Sequence, residues 1–108
     1  MTITYPYDKL THLENFGHSM SAPAFLYNPI SADEIHEALH IAKKDGLSVT
    51  LRGAGRSYND AALNSFGMVL DLQGMNKILE WNPETGMVTA EPGVTLAKLW
   101  QVVLPDGW

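Results

Sequence analysis

The sequence predicts a mixed α/β or α+β domain, with a small β-α-β unit followed by short strands and a second helix. Three observations predict this class. A helix with clear start and stop signals lies between short apolar runs, and a turn-rich segment separates two later runs. Because 45% of the 108 residues are hydrophobic, the chain can bury a core, and disorder is not expected.

Residues 1–30 are predicted to be mixed in structure, because Pro6, Pro23 and Pro29 interrupt any long element. Within this region, residues 24–27 are predicted to form a short strand.

The first helix is the clearest element. Ser31 and Glu34 form a capping box, in which a hydroxyl and a carboxylate satisfy the free amides of a helix start. Apolar residues follow at helical spacing and Gly46 supplies the stop, which predicts a helix over 32–44. Residues 47–51 are short, apolar and β-branched, and they are predicted to be a buried strand.

The second half of the chain predicts further strands at 68–72 and 77–81. Residues 82–86 have the composition of a turn, so 87–91 is predicted to return as a hairpin partner. A second helix is predicted to begin at a Thr95 cap. The side chains that we expect in the core of this half are Leu96, Leu99, Trp100, Val103, Met68, Met75 and Met87.

The composition limits the possible functions. With 7 Lys and Arg against 12 Asp and Glu, the net charge of -5 disfavours nonspecific binding to DNA or RNA. The chain contains no cysteine, which excludes disulfides, thiolate metal sites and thiol nucleophiles. The N-terminus does not match a signal peptide, and no apolar run is long enough to cross a bilayer. We therefore predict a cytoplasmic protein.

A polar loop with two glycines follows the β-α-β unit and is the most informative segment. Gly53 and Gly55 allow positive φ and a close approach of the backbone, so consecutive N–H groups can point at one anion. Ser57 adds a hydroxyl donor, and Arg52 or Arg56 adds a charge-assisted donor. The loop therefore predicts a pyrophosphate-binding site.

Two better-known phosphate loops do not fit this segment. The Rossmann fingerprint needs a third glycine where this chain has Tyr58, and it needs a helix where residues 61–67 are too short and weakly periodic. The Walker A pattern needs Gly-Lys followed by Ser or Thr, which the sequence lacks. Taken alone, the segment also fits an ordinary glycine turn with solvated arginines.

Motifs spread over residues 13–108 resemble those of a known family. The loop Arg52-Gly53-Ala54-Gly55-Arg56-Ser57-Tyr58-Asn59-Asp60 resembles the phosphate loop of the vanillyl-alcohol oxidase/p-cresol methylhydroxylase (PCMH) flavoproteins. Within them it is most similar to the decaprenylphosphoryl-ribose oxidase-like and the sugar or alditol oxidases. The flanking segments that follow the family order are Phe16-Gly17-His18, Val69-Leu70-Asp71-Leu72, Met75-Asn76-Lys77-Ile78 and Glu91-Pro92-Gly93-Val94-Thr95. Such an ordered set is more specific than any single motif.

The resemblance implies the first part of a PCMH-type FAD-binding domain, with the substrate domain and the catalytic residues elsewhere. It implies hydride transfer from an alcohol or sugar to flavin N5. Many members bond the flavin to a loop histidine, and the matching position here is Arg56, so we predict a noncovalent FAD. The residues implied to hold FAD are Arg52, Gly53, Ala54, Gly55, Arg56, Ser57, Tyr58, Asn59, Asp60 and Asn64, with the two arginines as charged supports.

Two other functions stay open. The first is a noncatalytic module that self-associates through an exposed apolar edge. The second is a zinc hydrolase, because His36-Glu37-Ala38-Leu39-His40 matches the zinc-protease pattern. These two histidines fall beside the predicted buried face of the helix, so we expect them to be solvated. We also expect His12 and His18 to face water.

Overall fold

The computed structural model describes residues 5–57 and 61–108, which form two sheets and two α-helices. The elements in chain order are β1 Leu10–Glu14, β2 Ser21–Tyr27, α1 Ala32–Asp45, β3 Val49–Arg52, β4 Met68–Asp71, β5 Ile78–Asn82, β6 Met87–Ala90 and α2 Leu96–Val103. This content confirms the predicted mixed class. In these ranges no helix has the length and apolar character needed to cross a membrane.

The larger sheet has the strand order β1-β2-β4-β3. Strands β2, β4 and β3 are parallel, as a β-α-β unit requires, whereas β1 pairs antiparallel with β2. The register places Arg52 beside Asp71, so the loop after β3 leaves the sheet at the carboxyl end of its parallel strands. Open parallel sheets bind ligands at this end.

Helix α1 begins and ends at its predicted signals. The Ser31 hydroxyl accepts a hydrogen bond from the Glu34 amide at 3.2 Å, and Gly46 closes the helix with a φ of 68°. The Glu34 carboxylate accepts from the Ile30 amide at 2.6 Å, one residue before the partner that a capping box uses. The observed span of Ala32–Asp45 confirms the helix predicted over 32–44.

The main hydrophobic core lies between α1 and the parallel strands. Ala38 and Ala42 of α1 pack with Met68 and Leu70 of β4, and Met75 joins the same cluster. Small side chains on α1 let the helix lie close to the sheet, which favours tight packing. The prediction that Met68 and Met75 are core residues is confirmed.

Strand β3 is not the buried strand predicted over 47–51. It forms an edge of the larger sheet, and its Val49 and Leu51 side chains are 37% and 61% exposed. Leu47 lies before the strand and packs against the core cluster. An apolar run indicates a strand, but it does not show whether a neighbouring element covers that strand.

Strand β1 is an addition to the predicted order of elements. His12 is therefore a strand residue, although it is exposed as expected, and its Nε2 lies 2.9 Å from the Ser21 hydroxyl. Pro23 pairs with His12 inside β2, so this proline does not interrupt the strand. Its carbonyl accepts a hydrogen bond from the Phe66 amide at 2.7 Å.

Strands β5 and β6 form the predicted hairpin around residues 82–86. The Asn82 Oδ1 accepts hydrogen bonds from the amides of Glu84 and Thr85, at 3.0 and 3.4 Å. Gly86 completes the turn with a φ of 74°, a value that favours glycine. The turn chemistry read from the sequence is therefore confirmed.

Two indole rings join this hairpin to the C-terminal residues. Trp81 Nε1 donates to Asp106 Oδ2 at 2.7 Å, and Trp108 Nε1 donates to the Pro83 carbonyl at 2.7 Å. The two rings meet edge to face with centroids 6.3 Å apart.

Helix α2 has the predicted cap but not the predicted burial. The Thr95 hydroxyl accepts from the Lys98 amide at 3.1 Å. However, Leu96 and Trp100 are 68% and 56% exposed, and Met87 is 70% exposed, so assigning them to the core is wrong. Helix α2 contacts β5, and this small hairpin cannot cover both sides of an apolar helix.

Candidate functional site

The loop after β3 and the turn between β1 and β2 line one open groove of about 460 Å³. The loop contributes Arg52, Ala54, Gly55 and Arg56, and the turn contributes residues 14–18. These segments are distant in sequence, and the fold makes them two walls of one site.

Gly55 gives the loop its shape. Its φ of 75° lies in the left-handed region, which other residues enter at a cost. At Gly53 an added Cβ would meet no atom within 4 Å, so this part of the loop faces open space. Within the described chain, no amide from 53 to 57 donates a hydrogen bond. With Arg56 and Ser57 exposed, the loop presents backbone, hydroxyl and guanidinium donors to solvent.

The facing turn is shaped by a buried amide side chain. Asn15 is 4% exposed, and its Oδ1 accepts from the Met20 amide at 2.9 Å while its Nδ2 donates to Ser19 Oγ at 3.0 Å. Gly17 and His18 follow with φ values of 95° and 58°. A satisfied buried amide fixes the local backbone, so this wall of the groove has a defined shape.

The two arginines of the loop differ in their surroundings. The guanidinium of Arg52 donates to the Glu14 carbonyl at 2.7 Å and to the Ala62 carbonyl at 3.1 Å. Arg56 is exposed where it lines the groove. Among the described residues that line the groove, Glu14 carries the one carboxylate, and this carboxylate pairs with the exposed His18. Arg56 is therefore the arginine that an incoming anion can reach most directly.

The structure brings only part of the predicted set together. Residues 52–57 lie on the described loop, and Tyr58-Asn59-Asp60 lies outside the described residues. The Asn64 side chain accepts from Ser48 Oγ at 3.1 Å and donates to the Ser48 and Met68 carbonyls at 3.0 and 3.3 Å. Asn64 therefore ties the segment after the loop to the beginnings of β3 and β4.

The 14–18 turn is not among the site residues predicted from the sequence. The signal was present, because Phe16-Gly17-His18 is one of the segments that resemble the family. No rule based on spacing connects that segment to a loop that begins at Arg52. Only the fold shows that the two line one groove.

A second cavity of about 280 Å³ lies beside the end of β2 and is less suited to a phosphate. Both Glu34 and Glu37 line it, and their carboxylates repel an anion. The Lys9 ammonium lies 5.6 Å from the centroid of the Tyr27 ring. Burial, reinforced by the carboxylates of Asp8 and Asp45, raises the pKa of the Tyr27 hydroxyl.

The pair of histidines in the zinc-protease pattern lies on the surface of α1. His36 and His40 are both exposed, as expected from the helical spacing. Across residues 5–57 and 61–108, no three His, Cys, Asp or Glu side chains are grouped so that they could hold a metal ion.

Residues 23–108 match the FAD binding domain family, and the chain belongs to that family. It is thus an FAD-binding domain, and FAD is its cofactor. The chain is 39% identical over 66 residues to decaprenylphosphoryl-beta-D-ribose oxidase of Mycolicibacterium smegmatis, covering 61% of the chain and 14% of that protein. It is 32% identical over 83 residues to L-gulono-1,4-lactone dehydrogenase of Mycobacterium tuberculosis, covering 77% of the chain and 19% of that protein.

The fold matches that of 6-hydroxy-D-nicotine oxidase from Arthrobacter nicotinovorans with a TM-score of 0.76 at 24% identity. This match covers 88% of the chain and 21% of that protein. The chain therefore spans between 14% and 21% of the length of these three proteins.

Proposed function

We propose that this chain is the FAD-binding portion of an oxidoreductase acting on the CH–OH group of an alcohol or sugar. In this proposal the loop at 52–60 holds the FAD pyrophosphate. The observation that carries it is the groove in which Gly55, at positive φ, and the exposed Arg56 face the 14–18 turn. The names of two relatives, a ribose oxidase and a lactone dehydrogenase, favour a sugar-like substrate.

The donors of the loop suit a pyrophosphate. Within the described residues the amides of 53–57 donate to no acceptor, which leaves them for phosphate oxygens, and at Gly53 no side chain fills the approach. Ser57 supplies a hydroxyl donor and Arg56 supplies charge. When bound, FAD supplies the acceptor for the hydride, and these residues orient the cofactor. Tyr58-Asn59-Asp60 and Asn64 complete the proposed set, with Asn64 acting through the backbone that it holds.

We also propose that the FAD is noncovalent. The resemblance implies that Arg56 stands at the position where many family members carry the histidine that bonds to the flavin. A guanidinium stays protonated in proteins and is a poor nucleophile, so it cannot replace that histidine.

Replacing Gly53 by Val tests the position of the pyrophosphate. Gly53 lies outside the positive-φ region, and a Cβ there meets no atom within 4 Å, so the fold is expected to tolerate the change. The new side chain fills the approach to the loop amides, so FAD affinity is expected to fall about tenfold or more. Flavin absorbance and fluorescence measure the affinity, using the longest available form of the protein.

The control is Thr89→Val, which places the same valine on the exposed surface of β6 by exchanging a hydroxyl for a methyl group, and it is expected to bind FAD normally. The pyrophosphate assignment is wrong if Gly53→Val melts at the wild-type temperature and binds FAD with unchanged affinity.

A noncatalytic association module is the second candidate. Leu96, Trp100 and Leu104 follow one another at helical spacing, and each is more than half exposed. Exposed apolar stripes often mark contact surfaces. Sedimentation over a range of concentrations, comparing the wild type with Trp100→Gln, distinguishes the candidates. Self-association that Trp100→Gln abolishes, in a protein that binds no FAD, favours the module.

A further inference from the structure

We infer that Arg52 is a positioning residue. Its guanidinium holds the glycine loop against the 14–18 turn, and so shapes the anion-binding backbone without contacting phosphate itself. We call the Arg52 guanidinium, with its hydrogen bonds to the Glu14 and Ala62 carbonyls, the Arg52 brace. The observations that support it are contacts within the protein. Its consequence for FAD rests on the proposed function.

Hydrogen bonds hold both the backbone and the guanidinium of Arg52. Its backbone pairs with Asp71 at the end of β3, and its carbonyl accepts from the Leu72 amide at 2.8 Å. Its guanidinium reaches the Glu14 carbonyl, 38 residues away in sequence, and the Ala62 carbonyl on the far side of the loop. One planar group thus joins three separate segments. A guanidinium presents several donors in a rigid fork, and an ammonium cannot reproduce that geometry.

The Arg52 guanidinium also lies directly against the backbone of the loop at Gly55. A Cβ added at Gly55 would lie 2.5 Å from Nη2 and 3.0 Å from Cζ of Arg52. The guanidinium therefore occupies the space that a side chain at position 55 would need. Glycine is required there for two reasons, the positive φ and the presence of the brace.

The two arginines of the loop therefore have different roles. Arg52 uses its donors on the Glu14 and Ala62 carbonyls, whereas Arg56 stays exposed in the groove. Arg52 sets the shape of the loop, and Arg56 supplies the charge that meets an anion.

A double-mutant cycle between Arg52 and Gly55 tests the brace without flavin. Gly55→Ala destabilises the fold in every variant, because alanine is strained at the positive φ of this position. When Arg52 is present, the added methyl group also displaces the guanidinium. The unfolding equilibrium of the chain is measured for the wild type, Gly55→Ala, Arg52→Ala and the double variant. We expect the Gly55→Ala effect to shrink in the Arg52→Ala background, with a coupling on the order of tenfold in the unfolding constant. Additive effects would overturn the inference.

Flavin titration then separates positioning from direct phosphate contact. A Lys at position 52 keeps the charge but cannot bridge two carbonyls, so Arg52→Lys is expected to lose as much FAD affinity as Arg52→Gln. The charge control is Lys44→Gln on the exposed surface of α1, which is expected to bind FAD like the wild type. If Arg52→Lys binds like the wild type, Arg52 acts by charge and the inference is wrong.

Two further results have a defined meaning. If the wild type binds no FAD, the proposed function fails, and the unfolding cycle still decides whether the brace exists. If Arg52→Ala does not fold, the cycle is repeated with Arg52→Lys, in which the shorter side chain and its smaller ammonium also relieve the contact with residue 55.

Discussion

At the scale of single residues, the loop combines a backbone requirement at Gly55 with different environments for its two arginines. The sequence predicts that both arginines are charged supports, because both flank a glycine pair. It does not distinguish them, because the acceptors of Arg52 lie on Glu14 and Ala62, which no local pattern connects to it. Partners that are set by tertiary folding become visible only in the structure.

Arg56 is expected to contribute to FAD binding through its charge. Arg56→Ala removes a charge-assisted hydrogen bond and is expected to weaken binding by about 1.5 to 3 kcal/mol. The loss should be smaller at high salt, because screening already weakens the contact of an exposed arginine. Titrations at low and high ionic strength measure both effects. Lys44→Ala removes the same charge from the exposed surface of α1 and is the control; an equal loss in both variants would contradict a local contact.

At the scale of elements, caps and turn residues in the sequence predict where helices and the hairpin begin and end. The apolar pattern is a poorer predictor of which side chains are buried. The Ser31 and Thr95 caps and the 82–86 turn depend on hydrogen bonds within a few residues, and all three are confirmed. Strand β1, the edge position of β3 and the exposure of Trp100 depend on which elements become neighbours. Periodicity describes a face of an element, but it does not say what covers that face.

The cap of α1 gives an element-scale prediction. Ser31→Ala leaves the Glu34 amide without its acceptor, so the free energy of unfolding is expected to fall by about 1 kcal/mol. Chemical denaturation measures the change. Ser65→Ala, in an exposed loop position, is the control and should unfold like the wild type. An unchanged stability in Ser31→Ala would show that this hydrogen bond contributes nothing to the helix.

At the scale of the whole molecule, the family was predictable because motifs in a fixed order extend along the chain. The match to the FAD binding domain over residues 23–108 confirms that reading. The arrangement of the groove was not predictable, because it depends on β1 and on the turn that follows it. A cytoplasmic location stays a prediction.

The mode of flavin attachment is also a property of the whole molecule. Because the resemblance implies Arg56 where other members carry the bonded histidine, FAD is expected to be released completely when the loaded protein is denatured in acid. Flavin fluorescence of the supernatant and of the washed pellet measures the distribution. Flavin that stays with the pellet after washing would show a covalent bond elsewhere in the protein.

The central claim is that the loop beginning at Arg52 holds the pyrophosphate of FAD, and amide hydrogen exchange tests it most directly. The amides of residues 53–57 are read with and without FAD, and those of the 82–86 turn serve as the internal reference. We expect FAD to slow exchange at 53–57 and to leave 82–86 unchanged, because new phosphate acceptors protect amides that donate to no acceptor within the described chain. FAD binding that leaves 53–57 unprotected would contradict the claim and place the pyrophosphate elsewhere.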